Sequence, residues 1–193
     1  MAHPQLWLLR HGATEWALNG RHTGRTDLPL LPQGEEEAKR LAPLLAQQRF
    51  ARVLTSPLQR ARHTCELAGL GSQAMQDPRL MEWDYGDYEG ITTAEIRRSV
   101  PGWTVFSHPC PGGESLAQVQ SRCEGLIKDL LESDGPVALF AHGHLLRCLA
   151  GCWLELGARG GALLSLSTGS YSVLGFEREQ RVLQQWNAPV SFA

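Results

Sequence analysis

Gln5-Leu6-Trp7-Leu8-Leu9-Arg10-His11-Gly12 holds four consecutive apolar residues followed at once by an arginine, a histidine and a glycine. A run this short, apolar on both faces, predicts an internal strand of a sheet covered by helices on each side. Its end is as telling as its body. Arg10 and His11 are poor core residues, and Gly12 lets the backbone turn sharply or come close to a ligand. The same arrangement recurs twice: Arg52 to Thr55 runs into Ser56-Pro57, and Pro136 to Ala141 runs into His142-Gly143-His144. Open α/β sheets carry their ligand crevice at the carboxyl ends of the strands. Three polar segments far apart in sequence are therefore expected to meet at one end of one sheet.

Between these strands the apolar spacing predicts helices. Pro32-Gln33-Gly34 reads as a turn feeding Glu35, Glu36 and Glu37, acids suited to a helix N-terminus, and the helix continues past Pro43 through Leu45. Leu58, Ala61, Cys65 and Ala68 form an apolar stripe at 3-and-4 spacing, and Thr92 or Thr93 caps a short helix through Ile96. Leu116, Val119, Cys123, Leu126, Ile127 and Leu130 give the clearest helix, and a nearly all-apolar one covers about Leu145 to Leu154. Gly20 to Gly34 and Pro78 to Gly90 read as ordered loops. Ala162 to Ser167, Tyr171 to Phe176 and Val182 to Trp186 read as terminal strands, with Thr168-Gly169-Ser170 turning the first pair. The expected fold class is α/β: a three-layer αβα sandwich with a mostly parallel central sheet. It is expected to be a single domain over residues 1–193, with a short irregular lid-like insert at about 84–113.

Bulk properties exclude several function classes. The 193 residues suit one core, and 18 basic against 20 acidic residues give a formal charge of -2. That balance leaves no broad basic surface, so neither nucleic acid nor an anionic membrane is expected as partner. No apolar stretch approaches the roughly 20 residues of a spanning helix, and the N-terminus lacks the pattern of a signal peptide. Cys65, Cys110, Cys123, Cys148 and Cys152 contain no C-x-x-C pair and are expected as buried thiols. The reading is a reduced, cytoplasmic protein, compatible with a homodimer. His142-x-His144 is a weak metal signal without H-E-x-x-H, and the glycines near His11 form no nucleotide-binding pattern, so no metal and no cofactor is expected.

The polar residues at the strand ends suit one chemistry. An arginine fork matches phosphate oxygens, and Arg10 and Arg60 with His11 and His142 would enclose a tetrahedral dianion. A neutral histidine is a nucleophile toward phosphorus, while arginines hold the charge that develops on the equatorial oxygens. The leaving alkoxide then needs an acid. Glu82 lies among apolar and aromatic neighbours that favour its protonated form, with Asp84 and Glu89 as rivals on spacing alone.

Leu9-Arg10-His11-Gly12-Ala13-Thr14 with Trp16 resembles the signature of the histidine phosphatase superfamily, the phosphoglycerate mutase-like fold. Ser56-Pro57-Leu58-Gln59-Arg60-Ala61 with Thr64, the segment around Glu82, Gly112-Gly113-Glu114-Ser115 and Ala141-His142-Gly143-His144 resemble its later blocks, in order. The resemblance implies that His11 becomes a phosphohistidine, that Arg10, Arg60 and His142 grip the phosphoryl group, and that Glu82 donates the proton. It also implies that Thr23 and Gly24 contact substrate near the phosphate and that Arg21 serves the same loop.

Two departures from the family matter. The asparagine usual one residue after the tryptophan is Ala17 here, with Asn19 as the candidate substitute. The long basic insertion of the cofactor-dependent mutases is also missing, leaving Arg97 and Arg98 nearby. Without those clamps, hydrolysis is favoured over phosphoryl return. Thr23 to Leu30, Glu82 to Gly90 and Phe140 to His144 look similar to the fungal sedoheptulose-1,7-bisphosphatases. A metal-independent phosphomonoester hydrolase acting on small sugar phosphates or bisphosphates is the expected function. A broad-specificity or α-ribazole phosphatase, a phosphoglycerate mutase-type enzyme and a non-catalytic phospho-ligand binder are the alternatives.

Overall fold

Leu6 and Leu8 face one way from the first strand and Trp7 and Leu9 the other, and each pair enters a different hydrophobic cluster. This alternation fixes the layers in the computed structural model, which describes residues 3–190. Strands β1 (Leu6–Arg10), β2 (Arg52–Thr55), β3 (Ala74–Gln76), β4 (Val137–Ala141), β5 (Tyr171–Glu177) and β6 (Gln180–Ala188) form one sheet in the order β3-β2-β4-β1-β5-β6. β3, β2, β4 and β1 are parallel; β5 and β6 add an antiparallel hairpin beside β1. The sheet is thus mixed and mostly parallel, as expected.

Helices α2 (Pro32–Leu45) and α3 (Gln59–Leu67) cover the face that carries Trp7, Leu9, Val53 and Phe140. Helices α5 (Leu116–Leu131) and α6 (Gly143–Trp153) cover the face of Leu6, Leu8, Leu54 and Leu139. Two short helices, α1 (Glu15–Asn19) and α4 (Thr93–Ile96), lie in the connections. Each fully buried leucine contributes about 1.5–3 kcal/mol, so the central strands anchor the fold. All five cysteines are free thiols in the interior. Among the described residues no helix is long and apolar enough to cross a membrane.

Several boundaries differ from the sequence reading. α2 begins at Pro32 rather than after Gly34, because proline at the first helical position has its φ preset and no donor to waste. Ala162 to Ser167 is not a strand: Ala158–Leu163 forms a 3-10 turn and Leu164 continues as irregular chain, so Thr168-Gly169-Ser170 joins no strand pair. The glycines explain it. A Cβ on Gly161 would lie 2.8 Å from the Arg147 carbonyl carbon, and one on Gly160 3.3 Å from Gly151 Cα, so bare backbone packs here against α6. The strand Ala74–Gln76 was not foreseen; three residues at the sheet edge, two of them exposed, carry no apolar period. Residues 84–113 hold the 3-10 turn Gly86–Tyr88, an isolated bridge from Thr92 to Arg21, α4 and irregular chain.

Candidate active site

Register brings the three polar segments together. Arg10 pairs with Ala141 and Thr55 with Phe140, so His11, Ser56 and His142 leave neighbouring strands at the same level. The His11 N–H donates to the Ala141 carbonyl (3.1 Å) and the Ser56 N–H to the Phe140 carbonyl (2.9 Å), which extends the ladder into the site.

His11 is buried, and its Nδ1 contacts the Gly12 carbonyl at 2.7 Å. A carbonyl only accepts, so Nδ1 carries the proton and the lone pair lies on Nε2. Burial, with Arg60 and Arg10 nearby, holds this imidazole well below the usual histidine value, so it is neutral at pH 7. The Gly12 N–H donates to Thr64 Oγ1 (3.1 Å), and a Cβ on Gly12 would lie 2.1 Å from the Gly34 carbonyl oxygen. The strand end is therefore clamped against the start of α2, and glycine is required at both contacts. Arg10 donates through Nη1 to the Leu166 carbonyl, while its Nε is buried without a partner among the described residues.

Arg60 and His142 stand behind His11. The His11 and His142 rings are 5.2 Å apart, and both Arg60 and His142 are wholly buried. Arg60 was expected to offer its fork to phosphate, yet it donates to the carbonyls of Thr23 (3.0 Å), Gly24 (3.0 Å) and Thr26 (2.9 Å). Its Nε donates to His142 Nδ1 at 3.1 Å. That leaves the His142 proton on Nε2, facing Ser56 Oγ at 2.8 Å. Burial, Arg60 and His11 hold His142 well below the usual value as well.

Glu82 meets backbone donors rather than a purely apolar pocket. Oε1 accepts from Trp83 N (2.9 Å) and Leu145 N (2.8 Å), and Oε2 accepts from His144 N (3.0 Å). The first turn of α6 thus orients the carboxyl. Its rivals are engaged elsewhere: Asp84 accepts from Gly86 N and faces Arg25, and Glu89 accepts from Gly24 N and Thr26 N. Glu114, from the glycine-rich block, accepts from Asp84 N and pairs with Arg122 at 2.8 Å, bracing the Glu82 segment from outside.

A cavity of about 220 Å³ opens above these groups. Arg10, His11, Glu82, Arg21 and Thr23 line it. Arg60, His142, Gly24 and Asn19 do not. Asn19 is exposed and accepts from Arg21 N (3.3 Å), while Ala17 faces the cavity, so Asn19 does not replace the missing asparagine side chain. Among the further lining groups that sequence reading missed are His22, Tyr85, His144 and Arg147. Tyr85 Oη and His144 Nδ1 share a hydrogen bond of 2.5 Å, and both rings stack edge-on with His22 or one another. Burial, with Arg147 and His22 nearby, keeps His144 well below the usual value. Among the described residues no group of three His, Cys, Asp or Glu side chains is arranged to hold a metal ion.

The profile of the histidine phosphatase superfamily (branch 1) matches residues 6–189. An acid phosphatase of Mycobacterium tuberculosis is 40% identical over 183 residues, covering 93% of this chain and 90% of that protein. The sedoheptulose 1,7-bisphosphatase of Saccharomyces cerevisiae is 35% identical over 188 residues, covering 81% and 69%. The solved structure of the open reading frame Rv3214 from Mycobacterium tuberculosis superposes with a TM-score of 0.91 at 37% identity, covering 97% and 99%. The likeness to the fungal bisphosphatases is real, but the acid phosphatase is more similar, so it does not single out that subfamily.

Proposed function

The chain belongs to the histidine phosphatase superfamily and is an enzyme of it, and from that premise we propose a metal-independent phosphomonoester hydrolase working through a phosphohistidine on His11. The observation that carries the reading is the 2.7 Å contact of His11 Nδ1 with the Gly12 carbonyl, which leaves a neutral Nε2 lone pair beside Arg10 in the cavity. Nε2 attacks phosphorus, and the N–P bond forms as the ester P–O bond breaks. Glu82, as the general acid, gives a proton to the departing oxygen. Arg10 binds the equatorial oxygens, whereas Arg60 contributes chiefly charge, because its donors already hold the 23–26 loop. His142 stabilises charge from behind His11. Water then attacks the phosphohistidine, Glu82 takes its proton, the N–P electrons return to Nε2, and phosphate leaves.

Small sugar phosphates and bisphosphates are the proposed substrates. The size of the cavity and the activity named for the yeast relative support this class. The test is a screen of phosphorylated metabolites with inorganic phosphate as readout, together with ³²P labelling of wild type and His11→Ala. Turnover with an acid-labile phosphoenzyme that His11→Ala abolishes is expected. Unchanged labelling in the variant overturns the nucleophile, and isomerised phosphoglycerate in place of free phosphate overturns the hydrolase.

A further inference from the structure

Apart from the reaction cavity, an opening of about 240 Å³ lies where α5, the end of α6 and β6 meet. It shares no lining residue with the reaction cavity. Cys152 of α6 forms part of its wall and is 7% exposed; Cys123 of α5 lies behind it at 0%. The Cys123 S–H donates to the Cys152 sulfur, so the two thiols are direct neighbours across the two helices. Cys148, one turn earlier on α6, is wholly buried, and among the described residues no three such side chains are arranged to hold a metal ion. The pair is the chemical unit.

The five cysteines are not equivalent. Burial pushes the thiols of Cys65 up to about 12 and of Cys110 up to about 11, and raises Cys148 as well. Cys152 moves the other way, because the hydrogen bond from Cys123 favours its thiolate against partial burial and the Glu124 carboxylate. Lys128 and Arg181 bring two cations to the same wall, and Arg181 is held there over the Trp153 ring at 5.2 Å. A thiolate, not a thiol, is the attacking species, so nucleophilic character and access coincide at Cys152.

We propose that Cys152 and Cys123 form a peroxide-sensitive thiol pair, in which a hydroperoxide entering this opening oxidises Cys152 and Cys123 then resolves it into a reversible disulfide between α5 and α6. The Cys152 thiolate attacks one peroxide oxygen, the O–O bond breaks, and the departing oxygen takes up a proton, leaving a sulfenic acid. The Cys123 sulfur attacks the Cys152 sulfur and the S–O bond breaks. Hydroxide leaves as water with the Cys123 proton. With hydrogen peroxide, two thiols and one peroxide become one disulfide and two waters. The new bond closes a loop that contains β4 and the His142 end of α6, and so reaches the elements that carry the site without touching its side chains.

The experiment treats reduced protein with a small excess of hydrogen peroxide, alkylates the remaining thiols and maps the peptides by mass spectrometry. Wild type is set beside Cys152→Ser and Cys123→Ala. In wild type the free thiols are expected to fall from five to three, with a Cys123–Cys152 cross-linked peptide that dithiothreitol removes. Cys152→Ser should keep its remaining thiols, and Cys123→Ala should stop at a Cys152 sulfenic acid captured by dimedone. A Cys148–Cys152 disulfide, or oxidation that begins at Cys65 or Cys110, overturns the proposal. So does wild type that keeps all five thiols under conditions that oxidise free cysteine. The wild-type map decides even where a variant fails to fold, and phosphate release is not a readout, so the outcome is independent of the hydrolase reading.

Discussion

Replacing Glu82 with glutamine exchanges one oxygen for an amide nitrogen where three backbone N–H groups converge. The amide oxygen satisfies part of that set, and the new NH2 confronts a remaining donor, at a cost of about 1–3 kcal/mol in stability. The larger effect follows from the proposed role, since an amide is far too weak an acid to protonate an alkoxide. Alkyl phosphates are expected to lose about 10²- to 10⁴-fold in rate, and aryl phosphates, whose leaving groups need little help, far less. Equal losses for both would assign the acid to another group. Arg10, His11 and Glu82 are readable from sequence because each interrupts or follows an apolar run where a charged residue has no packing reason to be. Arg147 is not. It lies inside a nearly all-apolar helix, and only the folded position of the Ala158–Leu163 turn shows that its guanidinium faces a cavity. Asn19 errs the other way: its spacing from Trp16 suggests a role, but it ends α1, and its side chain accepts from Arg21 N instead.

At the scale of elements, the position of His11, the proposed nucleophile, depends on two backbones in contact. A Cβ on Gly34, in the first turn of α2, would lie 2.2 Å from the Ala13 carbonyl oxygen. Gly34→Ala therefore forces α2 and the chain after β1 apart. A loss of about 1–3 kcal/mol is expected by denaturant titration, the usual range for overpacking. Phosphatase activity should fall in the protein that remains folded, because His11 sits two residues before Ala13. A stability change below ~0.5 kcal/mol would show that the contact relaxes freely. The central strands are readable because burial on both faces writes itself as a continuous apolar run, as in Leu6 to Leu9 and Val137 to Ala141. The Leu163-Leu164-Ser165-Leu166 run imitates a strand, but the glycines before it let the chain fold onto α6 first. Those glycines are the missed signal.

For the whole molecule, His11, His142 and His144 each bind a proton less readily folded than unfolded, where the reference value is 6.5. The unfolded chain therefore takes up protons first as the pH falls. Stability is full above about pH 6.5 and declines below it, by at most about 1.4 kcal/mol per histidine per pH unit. Thermal melts at pH 7.5 and pH 5 are expected to show a clear drop in Tm at the lower pH, and an unchanged Tm would mean that the three rings are charged or solvated in the folded protein. The sheet order has a consequence in time. β1 precedes the strands it pairs with by more than a hundred residues: β4 lies at residues 137–141 and β5 at 171–177. Pairing of such distant segments is slow compared with local structure. A growing chain thus carries His11 well before it has anywhere to hold it, because the strands beside β1 emerge only with residues 137–141 and 171–177. Chains cut short before residue 137 retain His11 and are expected to release no phosphate in an activity assay.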